Sequence, residues 1–507
     1  MTALSWKGAP THGEPEDVLR ALGAATERYH LELGERHVTT VTYLDTVDHR
    51  LWRHKLVMRH ERSTGPGDLV LSNGSESTRR TALTGKPRWP ARAEQLPPGD
   101  VRERAADAMW VRAVAPVVEA ELVVCELRVC NEDAKTVARI EWAEAEVETN
   151  SAAVVRVSVQ ALRGYEPDAQ RVVAALLADG EFEIVADSLH DTLVAATEVA
   201  DAPPAAITAD LPAQRAVAGA LLEFADAIEA NVDGTIRDVD VEFLHDLRVA
   251  VRRSRSLLKL TGDILPGEMA LRYGPELKWL GDLTTPTRDL DVYLLEFADL
   301  AAELASGDPA DLAPFETHLR VRRVAEQKAL VNGLRGKRFR DFLASWRTEL
   351  AAVAADPAAA PTVGELAAER LERAAHKVAK REKVIAADSP DDDVHALRKR
   401  CKELRYLLEV FAPVCAPKPR KVVVKELKKI QDSLGRFQDG HVQNQALHIH
   451  AEEMLTEGQA SARVLLAMGE LAGRMERMQR DAKQDLISEL HTFTGADLRK
   501  RVRELVK

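Results

Sequence analysis

The sequence predicts an α+β domain built on an antiparallel sheet, followed by an all-α region made of two copies of one helical unit. Three observations predict it. Residues 1–200 hold short β-branched runs of alternating polarity, separated by Gly, Pro, Ser and Asn turn formers. From about residue 205 onward, Ala, Leu, Glu and Arg recur at the spacing of amphipathic helices. Within that helical part, HDLRVAVRRSRSLLK at 245–259 returns as HALRKRCKELRYLLE at 395–409, an offset of 150 residues.

In chain order, VTTVTYLDT, KLVMRHER, DLVLSN, VVCELRVC, TVARIEWAEAEVE and AVVRVSVQAL read as strands, because one side chain in two is apolar and turn residues bound each run. DAQRVVAALLADG, 168–180, reads as the helix closing this region. DAPPAAITADLPAQ, 201–214, and AAVAADPAAAPTVG, 351–364, read as linkers from their Pro and Ala content. The expected organisation is a sheet domain over 1–200, a linker over 201–214, and helical halves over 215–353 and 354–507. Each half has room for about four helices and is expected to form a bundle.

Composition excludes several classes. The 507 residues are 45% hydrophobic and 30% charged, which suits a globular chain with sizeable cores. There is neither an apolar h-region at the N-terminus nor an apolar run near eighteen residues, so a soluble, cytoplasmic protein is expected, with no membrane partner. Cys125, Cys130, Cys401 and Cys415 form no CxxC pair and read as buried thiols. Net charge is −11, yet it is unevenly spread: residues 1–200 carry 23 Lys and Arg against 32 Asp and Glu, and residues 201–507 carry 47 against 49. Cations concentrated on particular helices of a nearly neutral region suit a basic cleft better than the broad basic surface of duplex-binding proteins. Aromatic content of 5% also argues against single-stranded nucleic acid, whose binders stack bases on aromatic platforms.

The repeat carries the functional signal. At about 100° per residue, His245, Arg248, Arg252, Arg255 and Lys259 fall within an arc of roughly 80°, beside Leu244, Leu247, Val251 and Leu258. The helix therefore buries one flank and holds a basic stripe about 21 Å long along its edge. A single stripe of this kind is usually solvated surface. Here it recurs in register: His245 with His395, Arg248 with Arg398, Arg252 with Lys402 and Arg255 with Arg405, then downstream Lys278 with Lys428, Asp282 with Asp432 and Asp289 with Asp439. Duplication of an anion-facing stripe explains a cation pattern that a solvated face has no reason to repeat. Guanidinium forks and lysine point charges suit a chain of identical phosphates.

HDLRVAVRRSRS and HALRKRCKELRY, each followed about thirty residues later by LK and then Asp (LKWLGDLTTPTRDLDV, LKKIQDSLGRFQD), resemble the CHAD domain, the conserved histidine α-helical domain, over roughly 205–507. The resemblance implies two four-helix bundles about a pseudo-two-fold axis, with histidines and basic residues lining a central groove that binds inorganic polyphosphate. The residues it assigns to the ligand are His245, Arg248, Arg252, Arg255, Lys278, His395, Arg398, Lys402, Arg405 and Lys428. Arg253 and Lys259 stand outside that set, because Glu403 and Glu409 occupy the equivalent positions of the second copy.

Residues 36–180 resemble the CYTH superfamily of triphosphate tunnel enzymes through YLDTVDHRL at 43–51, LVMRHER at 56–62 and the late run AVVRVSVQALRGYEPDAQRVVAALL. That implies a tunnel or barrel of antiparallel strands in which glutamates hold a divalent metal on the triphosphate. The pattern departs where chemistry needs it. No ExExK opens the chain, Ser158 and Gln160 stand where acidic residues are expected, and Glu61 replaces a second arginine beside Arg59. Glu141, Glu144, Glu146 and Glu148 read as a solvated strand face. A catalytically silent CYTH-like domain is expected, with no catalytic residue and no cofactor; a divalent metal enters only if that domain is active. The expected function is polyphosphate binding, with association to polyphosphate granules. The alternatives are a metal-dependent triphosphatase or polyphosphatase in a rebuilt tunnel, and a helical scaffold that docks acidic partners; oligomeric state is left open.

Overall fold

The computed structural model describes residues 2–6, 15, 18, 22, 29–73, 77–147, 150–178, 180, 182–197, 207–356, 361–386, 388–493 and 495–506. The chain divides into two units, Met1–Pro203 and Pro204–Lys507.

The first unit is a nine-stranded antiparallel sheet: β1 (Thr2–Trp6), β2 (His30–Thr46), β3 (Val57–Arg62), β4 (Asp68–Asn73), β5 (Ser77–Ala82), β6 (Val114–Cys130), β7 (Thr136–Val147), β8 (Asn150–Ala161) and β9 (Phe182–Ile184). The spatial order is β5-β4-β3-β2-β6-β7-β8-β1-β9. Among the described residues it is accompanied by α1 (Arg50–Arg53), α2 (Asp100–Met109), α3 (Glu166–Ala178) and α4 (Leu189–Thr197), and Pro15, Val18 and Leu22 are also helical. The runs read as strands fall on β2, β3, β4, β6, β7 and β8, with Lys55, Leu56 and Leu162 just beyond the strand ends and Glu148 outside the described residues, and α3 is the closing helix. The sheet is open, with β5 and β9 as its two ends, so strand pairing among the described residues does not close the implied tunnel.

The YLDT stretch has a structural duty. Asp45 Oδ1 accepts from the Leu51 amide at 2.9 Å, and its Oδ2 from the Trp52 amide at 3.0 Å. Thr46 Oγ1 accepts from the Arg50 amide at 2.8 Å. These bonds satisfy the free donors at the start of α1 and turn the chain from β2 into the helix.

Alternation puts Leu44 and Tyr43 on opposite faces. On Leu44's face, Met58, Leu69 and Leu71 pack with Val101, Ala105 and Met109 of α2. On Tyr43's face, Val41, Val118, Ala120 and Ala145 form a small core with Leu193 of α4.

The second unit is helical. Its first half comprises α5 (Ala213–Ile236), α6 (Val241–Thr261), α7 (Met269–Leu295), the short α8 (Phe297–Ala302), α9 (Ala313–Arg335) and α10 (Lys337–Ala355). The second comprises α11 (Val363–Glu382), α12 (Asp391–Val410), α13 (Pro417–Thr456), α14 (Ala462–Thr492) and α15 (Gly495–Arg503). The starts of α5 and α6 and those of α11 and α12 differ by the repeat offset. The backbone makes the symmetry explicit: the Ala213 amide donates to Pro361 O at 2.9 Å, and the Val363 amide donates to Leu211 O at 2.8 Å. Each bond is the other's copy. α10 runs to Ala355 and α11 begins at Val363, so the second linker is shorter than its composition suggests.

The halves share their cores. One apolar core draws Leu247, Leu257 and Trp346 from the first half and Leu397, Leu404 and Phe437 from the second. A smaller one joins Phe315 and Leu319 of α9 to Leu447 and Met454 of α13 and Leu471 of α14. All four cysteines are buried free thiols, and burial raises the Cys401 thiol to about 12. No helix among the described residues is long and apolar enough to cross a membrane.

Candidate functional site

α6 starts where Asp240 Oδ1 accepts from the amides of Glu242 at 3.0 Å and Phe243 at 3.3 Å, a side-chain N-cap. Leu244, Leu247, Val251 and Leu258 are buried, and Arg252, Arg255 and Lys259 are exposed along the adjoining edge. α12 does the same with Val394, Leu397, Leu404 and Leu408 inside. The two stripe helices pack against each other, and a groove runs between them.

One lobe of the groove, of about 310 Å³, is lined by Arg252, Arg255, Ser256, Lys259 and Leu260 of α6 and by His395, Arg398, Lys399, Lys402, Glu403 and Tyr406 of α12. A second lobe, of about 570 Å³, shares Arg252, Arg398, Lys402 and Tyr406 and adds Arg253, Arg405 and Glu409, with Arg436 and Asp439 of α13. Six of the ten residues expected at the ligand therefore come together: Arg252, Arg255, His395, Arg398, Lys402 and Arg405. His245, Arg248, Lys278 and Lys428 line neither lobe.

The halves have diverged in ways that decide which cations are free. Arg248 donates to Gly281 O at 3.2 Å, Thr284 Oγ1 at 3.0 Å and Thr285 Oγ1 at 2.8 Å, tying α6 to α7. At the equivalent positions of the second half stand Gln431, Leu434 and Gly435, which offer Arg398 no hydroxyl. Gln431 instead accepts from Arg405 at 3.2 Å, whereas its counterpart Gly281 leaves room for Arg255 to pass. Among the described residues, Arg252, Arg255, Arg398 and Lys402 have neither a hydrogen bond nor an ion pair through their side chains. Burial, then Arg398 and Arg252, lowers the Lys402 ammonium from 10.5 to about 8.

The remaining cations are engaged. Lys259 Nζ lies 2.7 Å from Glu403 Oε1, and Arg253 lies 4.0 Å from Glu409, which also accepts from Arg405 at 2.8 Å. These are symmetry-equivalent contacts across the helix crossing, with cations on α6 and carboxylates on α12. Lys278 pairs with Asp282, one turn away on α7, and both side chains are exposed. His245 and His395 are not equivalent either. Burial, then Arg288, lowers the His245 pKa. At the position of Arg288 the second half has Gln438, and His395 Nδ1 donates to its Oε1 at 2.8 Å.

On the sheet unit, Arg59 pairs with Glu61 at 2.6 Å, and Glu61 also pairs with Arg80 at 2.7 Å. Tyr43, the cross-strand neighbour of Arg59, meets the His190 ring of α4 at 5.1 Å. Arg156 of β8 donates to Ser5 Oγ and to Thr192 Oγ1 of α4, each at 2.5 Å. Helix α4 thus covers part of this face, with Leu193 fully inside. Ser158 stands opposite Glu141, and Glu148 lies outside the described residues.

Residues 219–448 match the CHAD domain family model. This region is a CHAD domain. The crystal structure of the CHAD domain from the plant Ricinus communis is 25% identical with a TM-score of 0.50, over 58% of this chain and 96% of that one. An uncharacterized protein of Mycobacterium tuberculosis is 29% identical over 238 residues, which are 45% of this chain and 44% of the relative, so the match spans less than half of that protein. A Hippeastrum protein with a dominant triphosphatase activity is 12% identical with a TM-score of 0.26, over 39% of this chain and 96% of that one, a likeness that carries no argument.

Within the CHAD domain, Lys399, Tyr406, Ser256 and Arg436 also line the groove, outside the set that the sequence assigns to the ligand. The helical wheel held the signal for two of them. Lys399 and Tyr406 lie about 40° and 20° from His395, on the other side of the same arc.

Proposed function

We propose that the CHAD domain binds inorganic polyphosphate along the groove between α6 and α12, and that the protein associates with polyphosphate granules through it. The observation that carries this reading is the set of four cations, Arg252, Arg255, Arg398 and Lys402, that face one groove from two helices with neither a hydrogen bond nor an ion pair through their side chains among the described residues. Arg398 and Lys402 are half-buried and Arg252 and Arg255 exposed, so like charges are crowded along the groove, and a polyanion relieves their repulsion. A chain of equivalent phosphates does so without any reading of sequence, and the groove carries one aromatic residue, Tyr406, which is too few for a base-stacking platform. In this reading the sheet unit is a scaffold or partner surface without hydrolytic chemistry. The cover of α4 over Tyr43's face, and the engagement of Arg59 and Arg80 by Glu61, support that assignment.

The test is calorimetric titration of long-chain polyphosphate into the full-length protein at about 0.15 M salt, with duplex DNA and tripolyphosphate in parallel. Tight, salt-sensitive binding of the long chain is expected. Displacement by DNA at equal phosphate concentration favours a general acidic-partner dock, and preference for tripolyphosphate moves the site to the sheet unit.

A further inference from the structure

Away from the groove, three side chains of the smaller helical core converge. His318 of α9 is buried beside Phe315 and Leu319, and its Nε2 lies 3.2 Å from Glu453 Oε2 of α13. His450, one turn before Glu453, places Nδ1 3.2 Å from the same glutamate. One ligand atom from each residue falls within 4.8 Å of the other two. The two imidazole rings meet edge to face with centroids 5.3 Å apart, and Phe315 backs His450 at 5.9 Å.

Two features distinguish this cluster from an ordinary His–Glu–His hydrogen-bond network. Both nitrogens approach one oxygen, Oε2, while Arg322 holds the other, Oε1, at 3.0 Å. The carboxylate is thereby fixed to present a single oxygen. The two 3.2 Å edges are long for charge-assisted hydrogen bonds, which run about 2.7–2.9 Å. They match the edges of about 3.3–3.5 Å that bonds of about 2.0–2.1 Å span around a tetrahedral ion. On the far side of His318, Glu457 Oε2 lies 3.9 Å from Nδ1, the place of the outer carboxylate that orients a metal-binding imidazole.

We propose that His318, His450 and Glu453 bind one Zn²⁺ per chain and clamp α9 to α13. Two imidazoles and a carboxylate are a zinc-type donor set, with the fourth position left to water. The site does not belong to the repeat. The equivalents of His318, His450 and Glu453 are Met468, Leu300 and Glu303, so the symmetry-related position has no imidazole and the stoichiometry is one.

The experiment uses the chelator-treated full-length protein titrated with Co²⁺ as a visible-spectrum probe, followed by Zn²⁺ competition. One equivalent of Co²⁺ giving intense four-coordinate bands, displaced by one equivalent of Zn²⁺, is expected, together with a rise in Tm on adding Zn²⁺. His450→Gln and Glu453→Gln, checked for retained helical circular dichroism and polyphosphate titration, each weaken binding by about tenfold or more. A wild-type spectrum of the pale six-coordinate kind, no Zn²⁺-dependent Tm rise, or equal affinity in wild type and folded variants overturns the proposal.

Discussion

Lys402 gives the groove a pH response that a surface lysine lacks. Its ammonium is lowered to about 8 by burial, then by Arg398 and Arg252, so in the free protein the charge is present below that value and lost above it. A bound polyanion favours the charged form and pulls the pKa back up, so binding takes up a proton as the pH rises past 8. If the ordinary value is fully restored in the complex, affinity falls about 30-fold between neutral pH and about pH 9.5, where only about 3% of the free protein holds the proton. Lys402 is only part-buried, and water and salt in an open groove screen part of this, so about tenfold is the expected loss. Lys402→Arg keeps its charge throughout and loses less than about twofold over the same range. Calorimetric titration of long-chain polyphosphate at the two pH values, for wild type and variant, reads this directly. The same loss in both proteins would refute the placement of Lys402 at the ligand.

Replacing Arg252, Arg398 and Lys402 together with Ala is expected to weaken polyphosphate binding and to reduce the salt slope by about two to three, because fewer counterions are released; an unchanged slope excludes these residues from the contact. Glu403→Gln frees Lys259 and Arg400, so polyphosphate binds about threefold more tightly while the fold loses about 1–2 kcal/mol, read from a denaturant midpoint. His245 has a lowered pKa from burial and then Arg288, partly offset by Glu242 and Asp246. The unfolded chain therefore protonates first, and stability falls as the pH drops below about 6.5. His245→Gln should flatten that dependence in urea midpoints taken at about pH 7 and 5, and an unaltered dependence would show that His245 does not drive it.

The fold is legible wherever periodicity speaks. Leu244, Leu247, Val251 and Leu258 are inside because a 3.6-residue period leaves them no other face, and the strand runs pair as alternation demands. What alternation describes is a pleat, not a closure, and the open order ending at β5 and β9 is invisible to it. β1 is five residues long and sits between β8 and β9, a placement that only tertiary pairing defines. The groove is half legible, for a definite reason. Selecting residues by repetition finds Lys278 and Lys428, which recur through common origin but lie off the lobes, and passes over Lys399 and Tyr406, whose counterparts Val249 and Ser256 differ. Repetition finds the groove pairs Arg252 with Lys402 and Arg255 with Arg405, but it cannot find the lining that differs between the halves.

That divergence also explains how like charges can be held face to face. Arg252 meets Arg398 and Lys402 across the helix crossing, an arrangement of like charges that repel one another. Flanking it, Lys259–Glu403 at 2.7 Å and Arg253–Glu409 at 4.0 Å draw the same two helices together. Under the pseudo-two-fold these flanking contacts exchange: 253 and 259 of one helix oppose 409 and 403 of the other. Cations at both positions in both copies would add four more like charges to the crossing and force the helices apart. With acids at the flanks confined to α12, the flanks attract; Glu403 and Glu409 are taken by Lys259, Arg400, Arg253 and Arg405, and the carboxylate that faces Arg398 and Lys402 is Asp439, whose pKa burial raises. Attraction at the margins thus offsets repulsion at the middle and holds the two helices together around their like charges.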